Sequence, residues 1–313
     1  MFHGIIFHHF HENSMERSEI RQGSIELNEF DSIVRHLKTH YCLNDAQDWM
    51  AKAKKGALRD KDICLTFDDN IKSQITVAQK VLDNHNIKAF FFLYTSMYSG
   101  EFPRLEIYRY FRAKYFQTFD EFFRKFIDSF DQYEDFSFNR VLDRFPESYL
   151  QQFSFYSRNE RIFRYIRDEV LHEEKYNEVM DAIIEEVTTV SELSRNIWMS
   201  EYDIKKLSDE SHELGLHSLT HPYNLGEMPD SIQKKEYEGN KTYLEAITHK
   251  SIESVSYPSG SYNSYTIKLM EDLGLVVGFR ADMQIPSNSS LELPRRDCAY
   301  LLNDLQPKRS RDA

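Results

Sequence analysis

The sequence predicts an α/β fold, a barrel of parallel strands with one large helical insertion, and three observations lead there. Short apolar runs rich in strand formers alternate with amphipathic helical segments over residues 1–96 and again over 197–302, and such alternation favours parallel strands joined by crossover helices over an antiparallel design. Residues 97–196 break that rhythm: they hold almost no glycine, are dense in Phe, Tyr, Arg and Glu, and repeat aromatics at helical spacing, as in Tyr108, Phe111 and Tyr115. At 313 residues the chain is long enough for one barrel with an insertion or a small subdomain. A polar tail, 303–313, completes the division.

The strand candidates are Gly4 to Phe7, Ile63 to Phe67, Lys88 to Tyr94, Leu214 to Ser218, Ser254 to Tyr257 and Leu275 to Arg280, with a last one at Arg296 to Leu301. Between them, Leu27 to His40 places Phe30, Ile33, Val34 and Leu37 on one helical face, with Asn28 as its cap. Ile71 to His85, Ser200 to Gly215, Ser231 to Thr248 and Tyr265 to Leu273 read as helices too, the last stopped by Gly274. The insertion reads as several helices that form a lid, a core of their own or a homo-oligomer interface.

Chemistry concentrates at two places. Thr66-Phe67-Asp68-Asp69-Asn70 follows an apolar strand, so two carboxylates stand where a buried strand meets its loop, the edge that carries catalysis in α/β folds. Successive side chains there point in different directions, so one carboxylate can bind a metal while the other faces a reacting water. Far downstream, His217-Ser218-Leu219-Thr220-His221 sets two imidazoles four residues apart, on one face of a helical turn. Two imidazoles and a carboxylate make the three-ligand, open site of catalytic zinc. A third segment, Tyr257-Pro258-Ser259-Gly260-Ser261-Tyr262-Asn263, follows the apolar run Ile252 to Val255.

In this order the three segments resemble the polysaccharide deacetylases, the NodB-homology or carbohydrate esterase family 4 enzymes, over residues 1–96 and 197–300. The resemblance implies a distorted (β/α)7-type barrel, with Asp69, His217 and His221 as ligands of one divalent metal ion and Asp68 as catalytic base. Zinc suits that donor set, as do Co2+, Ni2+ and Fe2+. The backbone N–H of Ser259, after the motif's proline, becomes the oxyanion donor. Many relatives place a histidine general acid near the C-terminus, yet no histidine follows His249 here. The opening strand, ending His8-His9-Phe10-His11, resembles the Tyr-His strand of one branch, which makes His9 the general acid; otherwise these histidines are only a polar strand end. Alternation allows at most one of His8 and His9 to face the metal. Where relatives carry an arginine before the motif's proline this chain has Ser256, and Arg295, in a late Leu-Pro-Arg element, is the replacement expected to hold Asp68 ionised.

Composition narrows the rest. A net charge of −12 speaks against binding a phosphate backbone, so no nucleic-acid partner is expected. No stretch approaches the roughly 20 apolar residues of a spanning helix, and the first residues lack the pattern of a secretory signal, so a cytoplasmic protein is expected. Cys42, Cys64 and Cys298 show no pairing or metal spacing and read as reduced thiols, the last two in strands. The expected activity is removal of an N-acetyl group from an amino sugar in surface-glycan or glycoconjugate biosynthesis. The alternatives are hydrolysis of a non-sugar amide or imide, and a catalytically silent member that binds a glycan or protein.

Overall fold

A computed structural model describes residues 2–12, 24–133, 137–152, 156–283 and 289–305. Its strands are β1 (Gly4–Phe7), β2 (Phe10–His11), β3 (Ile25–Glu26), β4 (Cys42–Leu43), β5 (Asp62–Asp68), β6 (Phe90–Leu93), β7 (Glu213–Leu216), β8 (Ser254–Ser256), β9 (Val277–Phe279) and β10 (Arg295–Asp297). Seven of them run β10-β1-β5-β6-β7-β8-β9, every neighbouring pair parallel, and β4 adds to β5. The ring nearly closes: Arg280 N–H donates to Leu293 O and Leu293 N–H to Gly278 O, both within 2.9 Å, so the segment leading into β10 pairs with β9. This is the NodB-like (β/α)7 barrel architecture.

Period-two alternation sorts each strand between two cores. Along β5, Ile63, Leu65 and Phe67 pack outward with Ile5, Phe7, Phe91, Leu214, Leu216 and Val255 against the surrounding helices. Cys64 points the other way, into a cluster with Phe90, Phe92, Val277 and Phe279 that fills the barrel's interior. Gly215 belongs to this inner set, and a Cβ there would stand 2.3 Å from the Phe92 ring.

The barrel helices are α1 (Leu27–His40), α2 (Ala46–Lys54), α3 (Gln79–His85), α10 (Glu201–Asp209), α11 (Asp230–Thr248), α12 (Ser264–Asp272) and α13 (Cys298–Leu305). α2 escaped the sequence reading, and its Trp49 lies against the Phe90 and Phe279 rings, 5.6 and 5.2 Å between centroids. Glu26, not Asn28, is the N-cap of α1, with Glu29 Oε2 accepting the Glu26 N–H at 3.1 Å. The helix expected to reach Gly215 stops at Asp209, because Ser211 turns the chain with φ of 70° before β7 starts. Likewise the last strand ends at Asp297. Its Oδ1 accepts the Ala299 N–H at 2.8 Å, and Cys298 opens a helix rather than sitting in a strand.

The described residues form two compact units, one made of those within 2–12, 24–103 and 198–305 and the other of those within 104–197. Residues 97–103 thus belong to the barrel unit. The second unit holds α4 (Arg104–Tyr115), α5 (Phe119–Phe130), α6 (Phe138–Arg144), α7 (Arg158–Tyr165), α8 (His172–Glu185) and α9 (Val190–Ser194). Its aromatics make a core of their own, with Phe163 edge-on to Phe122 and Phe126 at 5.4 and 5.0 Å. From residue 306 the polar tail lies outside the described residues. No helix among the described residues is long and apolar enough to cross a membrane.

One buried group gives the fold a pH signature. His212 Nδ1 accepts the Ala89 N–H at 3.1 Å, and burial pushes its imidazole down to about 4. The unfolded chain takes up that proton near pH 6.5 and the folded chain only near 4, so this stability is complete above 6.5 and lost as pH falls toward 4. The window corresponds to roughly 3 kcal/mol. Urea unfolding from pH 7 to 4 should show that slope in the wild type and a shallower one in His212→Gln; equal slopes would refute it.

Candidate active site

Asp68, Asp69, His8, His217 and Ser256 stand at or just beyond the C-terminal ends of barrel strands, and the alternation above decides where those on the strands point. Asp68 is the last residue of β5 and shares the inward phase of Cys64. Beyond it, Asp69 and Asn70 both take left-handed backbone, φ 78° and 58°, a conformation non-glycine residues rarely adopt. The turn places the Asp69 carboxylate 3.2 Å from Nε2 of both His217 and His221.

His217 directly follows β7, but the segment to His221 is not the helical turn expected from the spacing. It is a loop in which Ser218 and His221 have φ of 63° and 60°. His221 N–H donates to Ser218 Oγ at 3.0 Å, and Leu219 O takes the N–H groups of Thr95 and Ser96. The two rings still meet, 4.9 Å between centroids. The two imidazoles that the spacing pairs are thus brought together by a loop rather than by the helical turn expected.

Arg295 is no surface arginine: 1 % exposed, it runs up the barrel interior from the start of β10. Gly4 sits level with it, and a Cβ there would stand 3.1 Å from Arg295 Cγ. Its Nη1 and Nη2 donate to Oδ1 and Oδ2 of Asp68 at 2.8 and 2.7 Å, a bidentate pair, while Nε donates to Arg280 O at 3.0 Å. Ser256 completes the arrangement, accepting from Arg295 Nη2 at 2.6 Å and donating to Asp68 Oδ2 at 3.1 Å. A serine is small enough to leave the guanidinium its space and polar enough to bridge the pair. Burial is the largest single influence and would raise the Asp68 carboxyl, but the Arg295 charge, His217, the Arg295 hydrogen bonds and His8 together outweigh it and hold the group below the ordinary carboxylate range.

The structure separates the two adjacent histidines. Ile5 and Phe7 face the helices, so β1's phase sends His8 inward with Gly4 and carries His9 to the other side. His8 Nε2 lies 3.8 Å from Asp69 Oδ2, while His9 is buried and its carbonyl accepts the Ile25 N–H. His8, not His9, is therefore the N-terminal imidazole at the site. Ser259 is exposed in the turn Pro258–Gly260 with φ of 53°, and that turn is folded by Gly260 N–H to Tyr257 O and Ser261 N–H to Pro258 O, both 2.9 Å.

Asp69, His217 and His221 bring one donor atom each within 4.8 Å of one another, as a single divalent ion requires. His217 Nδ1 lies 2.7 Å from Ser256 O, and a carbonyl only accepts, so Nδ1 carries the proton and Nε2 offers its lone pair toward Asp69. Asp69 Oδ1, buried between the two rings, has no hydrogen-bond partner among the described residues. A lone pair and a carboxylate oxygen facing each other call for a cation, so these residues fit a divalent metal.

A parallel barrel bearing such a cluster beside an arginine-held carboxylate has the parts that metal-assisted hydrolysis requires. The polysaccharide deacetylase family model matches residues 178–278, the stretch that holds His217, His221, Ser256 and Ser259. Among solved structures the fold is similar to that of the Streptococcus pyogenes deacetylase PplD in complex with acetate, with a TM-score of 0.56, 16% identity and 98% of each chain covered. It is similar also to IcaB from Ammonifex degensii (TM-score 0.53, 12% identity, 95% of this chain and 91% of that one). The BpsB deacetylase domain from Bordetella bronchiseptica gives 0.51, 13% identity and 95% of both chains. No curated protein matches the chain. Over residues 178–278 the chain is thus similar to the polysaccharide deacetylases, and the three solved structures share its fold.

Proposed function

We propose that this protein is a metal-dependent N-deacetylase acting on an N-acetylated amino sugar, a nucleotide-linked, lipid-linked or oligomeric intermediate of surface-glycan assembly. The observation that carries the reading is the Asp69–His217–His221 cluster set directly beside Asp68 in its Arg295 clamp. A divalent ion held by those three side chains would polarise the acyl carbonyl and acidify the attacking water. Asp68, kept ionised by Arg295, removes the water's proton. The Ser259 N–H stabilises the oxyanion as the carbonyl carbon becomes tetrahedral. His8 then protonates the departing amine, without which the C–N bond cannot break to release a neutral leaving group. The three cysteines are free thiols, which fits a cytoplasmic protein, and zinc is the metal this donor set suits best.

The test is acetate release from a panel of UDP-linked, lipid-linked and oligomeric N-acetylated sugars, with metal content measured alongside. Release that stops on chelation and returns with added Zn2+ is the expected result. Bound metal with no acetate from any of these would turn the reading to a non-sugar amide, and no metal at all to a silent binding protein.

The proton donor has its own test. His8→Ala should lower kcat by about 10²-fold or more while metal content is unchanged, and His9→Ala should leave kcat within about tenfold of wild type. The reverse ranking would restore His9 as the acid.

A further inference from the structure

α11 buries polar side chains where an amphipathic helix ordinarily buries apolar ones. Gln233, Glu236 and Asn240 are 0, 6 and 0 % exposed, and their spacing of three and four puts them on one face. Burying such groups is unfavourable unless they are hydrogen-bonded, and the partners of two of them are the backbone around the two histidines of the candidate metal centre. Asn240 Oδ1 accepts the His217 N–H at 3.0 Å, while its Nδ2 donates to Leu93 O at 2.9 Å and Thr95 Oγ1 at 3.0 Å. One turn earlier, the Glu236 carboxylate accepts the N–H groups of Leu219 and Thr220 at 2.9 and 2.8 Å and the Thr220 hydroxyl at 2.9 Å. The loop so gripped has left-handed residues at both ends, Ser218 and His221, conformations that neighbouring contacts must hold in place.

We propose that Glu236 and Asn240 are positioning residues of the metal centre: two consecutive turns of α11 clamp the backbone of the His217–His221 loop and thereby fix both imidazoles against Asp69. This rests on the reading that Asp69, His217 and His221 hold a divalent cation. Glu236 acts on the His221 end, where all three of its donors lie just ahead of that residue. Asn240 acts on the His217 end and ties it to the end of β6. Neither side chain is needed as a ligand.

The test reads Zn2+ affinity by chelator competition, with urea unfolding of the metal-free protein as the measure of folding. In Glu236→Gln the amide oxygen can still accept from the two N–H groups while its NH2 turns to the Thr220 hydroxyl, but the bonds lose their charge assistance and affinity should fall severalfold, about threefold or more. Thr220→Val removes one bond of the clamp from the loop side without touching the helix core, and should weaken binding about threefold or more. Leu244→Ala removes a buried apolar side chain from the same helix, destabilises the metal-free protein and should leave affinity within about twofold, because it makes none of these bonds. Unchanged affinity in Glu236→Gln, or an equal loss in Leu244→Ala, would overturn the proposal. If Glu236→Gln does not fold, Thr220→Val decides. A wild type that binds no Zn2+ would refute the metal centre itself, and the clamp with it.

Discussion

Asp68→Asn is expected to lower kcat/KM by about 10²–10⁴-fold, the range that a positioned general base contributes, while the protein keeps its metal. The asparagine has nearly the same shape, and its carbonyl oxygen can still accept from Arg295, but it can no longer take a proton. The three atoms that would ligate the metal belong to Asp69, His217 and His221, one residue and more away, so the centre should stay intact. Single-turnover acetate release with metal analysis on the same sample separates the outcomes. Loss of metal along with activity would make Asp68 a ligand, and retained activity would place the base elsewhere. Asp69→Asn is the matching control, expected to lose both.

Arg295→Met should lose about 3–5 kcal/mol of stability at neutral pH, the usual consequence of removing one partner of a buried ion pair. Both Asp68 oxygens take their guanidinium bonds from this residue, whose charge offsets the carboxylate's burial. The pH dependence has a definite sign. In the wild type Asp68 is held below its unfolded value of about 3.9, so its contribution is present above that pH and lost as pH falls through the folded value. Without Arg295, burial acts alone and raises the group, so the variant gains relative stability as acid neutralises Asp68. The gap between wild type and variant in urea unfolding should therefore narrow from pH 7.5 to pH 5. The Asp68→Asn background should shrink it too, since no buried charge is then left unpaired. A gap that stays constant across pH would mean that Arg295 stabilises by packing over Phe92 and Phe279 rather than through Asp68.

What the sequence disclosed follows the physics of each element. Strand–helix alternation was legible because buried parallel strands are near-continuous apolar runs, and the Asp-Asp, His-x-x-x-His and Pro-Ser-Gly segments were legible because their chemistry is local. The phase of β1 was not. Gly4, Ile5, Ile6 and Phe7 are all apolar, so no alternation marks which side faces inward, and His9 was preferred where the fold presents His8. Ser256 read as a missing arginine because its function depends on Arg295, far along the chain, reaching the same carboxylate. Glu236 and Asn240 carried no signal either, since on a helix with many charged residues a buried polar stripe looks the same as a solvated one.

The pairing of β1 with both β5 and β10 has a consequence for how the protein comes into being. Synthesis proceeds from the N-terminus, so Asp68, Asp69 and His8 leave the ribosome long before Arg295 does. Until β10 docks beside β1, Asp68 lacks the guanidinium that shares its burial. The Asp68 clamp is therefore among the last parts of the site to be completed, with the docking of β10 beside β1.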